Sequence, residues 1–464
     1  MSGNSKEKIK YICSNCGANY IKWMGRCTHC GEWNTLEEYI EPALPKNILS
    51  SSPSNQKRPI KLSEIELNGQ ERVILEMPEI DRPLGGGIVP GSVILWGGEP
   101  GIGKSTLILQ ICNAFTEKNK SVLYCSGEES ETQIKIRAER LQVNTERCLV
   151  YGESNLEQIM AEADRLKPDM IIIDSIQTIF MSGLDSAMGS PAQIRDCTAS
   201  LVRLAKEKGI TVMIIGHVTK EGNIAGPRIL EHMVDVVLYL EGDRSYQFRV
   251  LRTVKNRFGS TSESGLFVME RNGLKGIEDP SKYLLKDSGN NHTPGSTIAS
   301  CMEGLRSILI EIQALTVHSM LSIPRRISSG YDFNRLIILL AVLEKKAKIQ
   351  FSSDDVYLNV AGGYKVKETA ADLSVALALV SVKYDISIKE DMIALGEIGL
   401  TGEILPVSRI ETRLKEAVKM NFNYFILPER NKKDALRFFE SHKKELLKNI
   451  IFVRNINEAI DYIK

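Results

Sequence analysis

Residues Gly97 to Thr106 read GGEPGIGKST and follow directly on the apolar run VILW at Val93–Trp96. Gly98 to Ser105 fits the spacing G-x-x-x-x-G-K-[ST], and the strand before it with a helix pattern after it is the context that gives the spacing meaning. Glycines let backbone N–H groups converge on phosphate oxygens, and a helix starting near Lys104 aims its positive end at them. Lys104 is expected to bridge the terminal phosphates of ATP, and Ser105 to offer its hydroxyl to Mg²⁺. The nucleotide cradle read from this stretch is Gly98, Glu99, Pro100, Gly101, Ile102, Gly103, Lys104, Ser105 and Thr106. The competing reading, an accidental glycine turn, leaves the flanking strand and helix without a reason.

Outward from this loop, apolar runs alternate with helix-length amphipathic stretches: SVILWGG, Ser105 to Phe115, SVLYC, Thr132 to Leu141, MIIID, Ala192 to Lys208, TVMIIG. Uninterrupted apolar runs of this kind predict a parallel sheet covered on both faces by crossover helices. VDVVLYLEG, YQFRVLRTVKN and GLFVMERNG follow at tighter spacing, which predicts antiparallel strands appended to that sheet. MIIIDS ends in Asp174, a carboxylate at a buried strand end that could reach Mg²⁺ through water; capping of the next helix is the alternative. VLYCSGEES places Glu128 and Glu129 just past another strand end, where doubly wound sheets bind ligands. A water nucleophile needs a positioned acceptor, and Glu128 is the chosen base, with Glu129 the other candidate.

The chain has 464 residues, too many for one core at about 150 residues per domain, so several domains are expected. Hydrophobic residues make up 43% and charged residues 25%, with a net charge of +1, so any polyanion-binding surface must be local. MSGNSKEKIKY lacks a signal-like apolar core and no run approaches the ~18 apolar residues of a membrane span, which predicts a cytoplasmic protein with no membrane contact. Cys112, Cys125, Cys148, Cys197 and Cys301 are scattered through apolar contexts and are expected to be reduced core residues. PALPKNILSSSPSNQKRPIK, without either periodicity, reads as a linker over 42–61.

Cys13-x₂-Cys16 and Cys27-x₂-Cys30, the second of each pair followed by Gly17 or Gly31, form two knuckles able to present four thiolates to Zn²⁺. His29 lies between ligands and is not counted among them. With zinc bound, the module's charge is about +1, which suits protein docking or a structural role as well as DNA binding. Tyr20, Trp23 and Trp33 could stack on bases, but aromatics so close to a small zinc site are expected in its mini-core.

DRPLGGGIVPGSVILWGGEPGIGKSTLILQ, SGEES and IIIDSIQT together resemble the RecA-type ATPase core as it occurs in the bacterial RadA (Sms) family. The zinc knuckles, the phosphate loop, KNRFG at Lys255 to Gly259 and the C-terminal segments follow in that family's order over essentially the whole chain. The resemblance implies a DNA-dependent ATPase of homologous recombination and DNA repair: a homo-hexameric motor on single-stranded and branched DNA that promotes branch migration. It also implies partnership with the recombinase RecA, a replicative or recombination partner for the zinc finger, a nucleoid-associated location and a part in the stress response. KNRFG looks like the family signature for cations acting on a neighbour's nucleotide, which makes Lys255 and Arg257 the candidates; read bare, it is equally a solvated basic turn. His217, Thr219 and Lys220 in HVTKEGNIAGPR are placed where such proteins relay nucleotide state, and Lys220 and Arg228 suit a DNA-facing loop.

VYLNVAGGYKVKETAADLSVALALVS and ALGEIGLTGEILPVSRIETRLKEA resemble the proteolytic domain of Lon. The alignment puts Ala371 at the nucleophile position and Glu411 at the lysine position, so peptidase activity is not expected; Ser374 and Lys415 lie nearby but out of register. Lys365, Lys367, Arg409, Arg413, Lys415 and Lys419 form either a DNA-binding platform or a solvated basic face. The expected fold class is α/β: a RecA-like P-loop ATPase core over 62–280, an N-terminal zinc ribbon over 1–41, and a Lon-protease-like α/β domain over 290–464. An ATP-dependent Lon-like protease and a RecA-like scaffold or signalling ATPase are the alternative functions.

Overall fold

The computed structural model describes residues 8–13, 18–41, 61, 63, 71–143, 146–184, 186–216, 229–242, 248–285 and 293–464. The chain divides into two compact units, Met1–Glu241 with Arg252–Thr261, and Gly242–Leu251 with Ser262–Lys464. The first unit opens with an antiparallel sheet of β1 (Lys8–Cys13), β2 (Asn19–Tyr20) and β3 (Leu36–Glu41), in the order β2-β1-β3.

Its main body begins with the short α1 (Pro78–Asp81) and then alternates strand and helix. The elements are β4 (Val93–Gly98), α2 (Lys104–Glu117), β5 (Val122–Ser126), α3 (Glu131–Arg140), β6 (Cys148–Tyr151), α4 (Leu156–Leu166), β7 (Met170–Asp174), α5 (Pro191–Lys208), β8 (Thr211–Ile215), α6 (Ile229–Met233) and β9 (Val236–Gly242). The sheet order is β9-β4-β8-β7-β5-β6, every pairing parallel. Val93–Gly98, Met170–Asp174 and Thr211–Ile215 are buried throughout, as crossover helices on both faces require. Leu123, Cys125, Ile171 and Ile173 pack with α4 and α5. The helix starts are chemically marked: Ser130 and Gln133 form a capping box, Asn155 and Ser190 cap α4 and α5, and Pro191 occupies the first turn of α5.

One expectation is corrected here. VDVVLYLEG was expected to pair antiparallel, yet β9 runs parallel to β4, with Ile94 opposite Val236 and Gly98 opposite Leu240. A parallel neighbour needs a crossover, and the stretch between β8 and β9, which contains α6, provides it. β6 and α4 have no counterpart in the sequence reading; CLVY is an apolar run of only four residues, half exposed at the edge of the sheet. β10 (Phe248–Asn256) contributes residues to both units, and β11 (Ser264–Glu270) and β12 (Gly273–Gly276) pair antiparallel in the second, followed by α7 (Pro280–Leu284).

The rest of the second unit is a seven-stranded sheet. Its elements are β13 (Ser296–Glu303), β14 (Arg306–His318), β15 (Arg326–Ser329), α8 (Phe333–Lys346), β16 (Asp354–Val360), α9 (Asp372–Tyr384), β17 (Met392–Ala394), the small hairpin β18 (Glu397–Ile398) and β19 (Ile404–Leu405), α10 (Ile410–Lys419), β20 (Tyr424–Pro428), α11 (Lys432–His442), β21 (Ile450–Val453) and α12 (Ile456–Ile463). The order β15-β16-β14-β13-β17-β20-β21 mixes an antiparallel centre with parallel pairs at both edges. Alternation along β14 sends Ile308, Ile310 and Ile312 to the face covered by α8, α9 and α12, and Leu309 to the face covered by α10 and α11. Among the described residues no helix is long and apolar enough to cross a membrane.

Arg413 on α10 is fully buried. Its guanidinium donates to Ser300 O at 2.6 Å, Ser408 O at 2.9 Å, and Glu368 Oε1 and Oε2 at 2.8 and 2.6 Å. Glu368 Oε1 also accepts from the backbone of Met302 at 2.6 Å, so one ion pair ties the loop before α9 to β13 and α10. Arg413→Ala strands that carboxylate and is expected to destabilise the second unit by about 3 kcal/mol, read by urea unfolding; Glu368→Gln, which leaves the buried guanidinium without its counter-charge, is expected to cost a similar amount.

Candidate functional site

The phosphate loop lies at the C-terminal end of β4 and is shaped by what its glycines omit. Gly98, Gly101 and Gly103 have φ of +152°, +75° and +116°, conformations that L side chains rarely adopt. A β-carbon on Gly98 would stand 2.6 Å from the carbonyl oxygen of Leu240 on β9, and one on Gly97 would stand 2.8 Å from the Tyr239 ring. Lys104 is 4% exposed, and its ammonium donates to the carbonyls of Gly98 and Glu99 at 2.7 and 3.0 Å. Burial lowers its pKa to about 8, against the opposing pull of Asp174, Glu128 and Glu99. The loop thus offers backbone donors and one buried cation to an anion, the donor set a nucleotide phosphate requires.

Asp174 ends β7 beside this loop. It accepts from the Ser105 side chain and, at 2.5 Å, from the Tyr124 hydroxyl. Burial raises its pKa, the two hydroxyl bonds oppose that, and Glu128 and Glu129 push it up further. Glu128 accepts a hydrogen bond from the Ser175 hydroxyl, next in chain to Asp174, whereas Glu129 is engaged by the Arg137 guanidinium of α3. Ser126 Oγ accepts from the backbone of both Glu128 and Glu129, at 3.4 and 3.0 Å, so the two carboxylates differ by their side-chain partners. Lys104, Ser105, Glu128 and Asp174 therefore converge on one end of the sheet. A hydroxyl, a carboxylate and a phosphate cradle at one point fit hydrated Mg²⁺ on a triphosphate. Tyr124, Ser175 and Arg137 escaped the sequence reading; strand register and helix packing bring them in, and no local motif marks them.

Lys255 and Arg257 lie elsewhere in the first unit. The Lys255 ammonium donates to the carbonyls of Glu231, His232 and Val234 at 2.7, 3.1 and 2.7 Å, closing the C-terminal end of α6. Burial and the neighbouring Arg257 lower its pKa against Asp235 and Glu231. Arg257 is 3.6 Å from Asp235, which is itself buried, accepts from the backbone of Val93 at 3.0 Å and pairs with Lys206 at 2.6 Å. Asp235 thus stands at the N-terminal end of β4, five residues from Gly98, or roughly 16 Å along the strand. KNRFG is further held by Arg72, which donates to Phe258 O at 2.6 Å, and by the packing of Gly259 on Gly85, where a β-carbon on Gly259 would meet the Gly85 Cα at 2.9 Å. Sequence reasoning missed Arg72 and Asp235.

In the N-terminal module the sulfurs of Cys13, Cys27 and Cys30 lie within 4.8 Å of one another, and those of Cys13 and Cys30 are 3.7 Å apart. Tetrahedral thiolates at about 2.3 Å from zinc are about 3.8 Å apart, so the three sulfurs fit the ion. Cys16 lies outside the described residues, as do His217, Thr219, Lys220 and Arg228. Tyr20 packs against the module's core and meets Cys27 Sγ at 3.2 Å, whereas Trp23 and Trp33 are 57% and 67% exposed, contrary to the expected mini-core. The core of Cys13, Cys27 and Leu36 is too small to cover them, and Arg26 stacks on the Trp33 ring from outside. In the second unit, Ala370 and Ala371 are buried and Ser374 donates to the carbonyls of Ile298 and Ala394, while Lys415 is exposed on α10. The expected basic platform is thinned: Arg413 is internal, and Lys419 pairs with Asp279 at 2.8 Å.

Three segments of the chain match known families. Residues 11–38 match the family described as rubredoxin metal binding domain, 61–223 that described as AAA domain, and 340–463 that described as Lon protease (S16) C-terminal proteolytic domain. ATP with Mg²⁺, and Zn²⁺, are the cofactors that the loop and the cysteine cluster take. The DNA repair protein RadA of Listeria monocytogenes is 46% identical over 92% of this chain and 93% of its own length. Those of Bacillus subtilis, 45% over 98% of both chains, and of Aquifex aeolicus, 45% over 91% of this chain and 94% of its own, are equally similar. With a P-loop domain, a zinc ribbon and a Lon-type C-terminal unit, and 45–46% identity to these relatives over nearly its full length, the chain belongs to the RadA family of DNA repair proteins.

Proposed function

We propose that the chain is a DNA-dependent ATPase of homologous recombination, a hexameric ring on single-stranded DNA that drives branch migration of recombination intermediates. The repair role is supported by that of its RadA relatives, and one geometric observation supports the ring. Lys255 and Arg257 stand at the end of the first unit's sheet opposite its own phosphate loop, beyond the reach of a side chain. Cations so placed serve a phosphate only on a neighbouring subunit, where they complete the transition-state charge. Within one subunit, Lys104 neutralises the terminal phosphates, Ser105 and Asp174 orient the hydrated metal, and Glu128, aligned by Ser175, takes the proton of the attacking water. Bound ATP and Mg²⁺ supply the phosphoryl bond and its counter-charge.

The same reading assigns residues 1–41 to the zinc module, 42–61 to a linker, 62–280 to the ATPase and 290–464 to an inactive Lon-like platform. RecA, branched DNA and a replicative or recombination partner met through the zinc module are the expected associates, with a nucleoid-associated location and a part in the stress response. The Lon-like protease alternative is disfavoured by the alanines at 370 and 371 and by the engaged hydroxyl of Ser374.

Single-stranded DNA is expected to stimulate hydrolysis, and Lys104→Ala to abolish it, with forked-DNA unwinding lost while DNA binding survives. Arg257→Ala alone is expected to lower turnover by about 10³-fold. Mixing it with Lys104→Ala subunits is expected to restore part of the activity, because a mixed ring has sites pairing an intact loop with an intact cation. Absence of any restoration would sink the neighbour assignment. Cys27→Ser is expected to release zinc and unfold the N-terminal module, read by metal analysis and proteolysis of the intact chain, while Mg²⁺-dependent nucleotide binding persists.

A further inference from the structure

Tyr124 lies two residues before the end of β5, and the parallel register sets it opposite Ile172 while Ser126 faces Asp174. Its side chain is fully buried, in the interior of the first unit's sheet. Its hydroxyl nonetheless makes a 2.5 Å hydrogen bond to Asp174 Oδ2. Burial and the adjoining carboxylate hold the phenol pKa well above its ordinary value, so it keeps the proton it donates to Asp174. Asp174 is 5% exposed, too little for bulk water to orient it, and its other fixed points are the Ser105 side chain and the Gly127 N–H, which donates to Asp174 O at 3.1 Å.

Packing alone does not call for a phenol here. A phenylalanine would fill the same space, and the hydroxyl adds a single function, a bond to the carboxylate that faces the phosphate-loop helix. A buried carboxylate oxygen without a donor is costly, and a carboxylate free to rotate presents its oxygens in no fixed direction.

We propose that Tyr124 is a positioning residue: its hydroxyl fixes the rotation of Asp174 so that the carboxylate, together with Ser105, meets the hydrated Mg²⁺ of the nucleotide in one orientation. The proposal rests on the Mg²⁺–ATP reading of the site. It extends that reading to a residue outside every motif of the phosphate loop.

The test is binding of a fluorescent ATP analogue to the full-length chain, titrated with Mg²⁺. Tyr124→Phe is expected to raise the Mg²⁺ half-saturation by about tenfold, and to leave binding of the analogue in chelator unchanged. In the Asp174→Asn background the same substitution is expected to have no further effect, because the residue it acts through is gone. A Tyr124→Phe half-saturation within about twofold of wild type, or an equal shift in both backgrounds, overturns the proposal. Tyr124→Met, which also fills the space without a donor, is the second variant. If neither folds, as read by circular dichroism and zinc content, Tyr124 belongs to the core and the proposal falls. Wild-type protein that binds the analogue without regard to Mg²⁺ would overturn the reading of the site itself, an outcome told apart because no variant is involved.

Discussion

Strand β9 approaches the phosphate loop so closely that no β-carbon fits at Gly97 or Gly98. The rest of the site depends on this contact. It forces the chain leaving β4 into a turn whose carbonyls at Gly98 and Glu99 face the Lys104 ammonium. That internal bond holds a buried cation where, without it, an unpaired charge would be expelled or neutralised. With Lys104 fixed, Ser105 is fixed on the first turn of α2, and Asp174 is reached from the next strand but one. A glycine loop is therefore less a flexible element here than a tightly fitted one.

The opposite end of the same sheet is organised by a carboxylate. Asp235 receives the first amide of β4, the Lys206 ammonium from α5 and the Arg257 guanidinium, so the KNRFG turn is bound to the strand that carries the phosphate loop. Lys255 adds a second anchor on the last carbonyls of α6. The two ends are joined by β4 and β9, rigid strands buried for most of their length. The KNRFG turn and the phosphate loop are thus connected through one buried strand.

What the sequence discloses follows from how each feature is encoded. β4, β5, β7 and β8 are continuous apolar runs, and α2, α3 and α5 begin at lysine, serine or proline signals within one residue of their observed starts, so they were legible. The direction of β9 was not, because a parallel and an antiparallel strand share the same composition and only the path of the connection separates them. The choice of Glu128 over Glu129 drew on position alone, and the structure adds partners that no spacing reveals, Ser175 for one and Arg137 for the other. The exposure of Trp23 and Trp33 was hidden for a similar reason: a module of some thirty residues has too little interior to house two indoles, and composition does not say which side chains are left outside.

The ion pair between Arg413 and Glu368 bears on how the C-terminal unit stands to its hydrolytic relatives. Ala371 is fully enclosed in the turn that this pair clamps, and Glu411 stands exposed two residues before Arg413. A serine grafted at 371 would be interred beneath the clamp, and a lysine at 411 would extend into solvent. Those two exchanges would therefore set one side chain in the interior and the other at the surface.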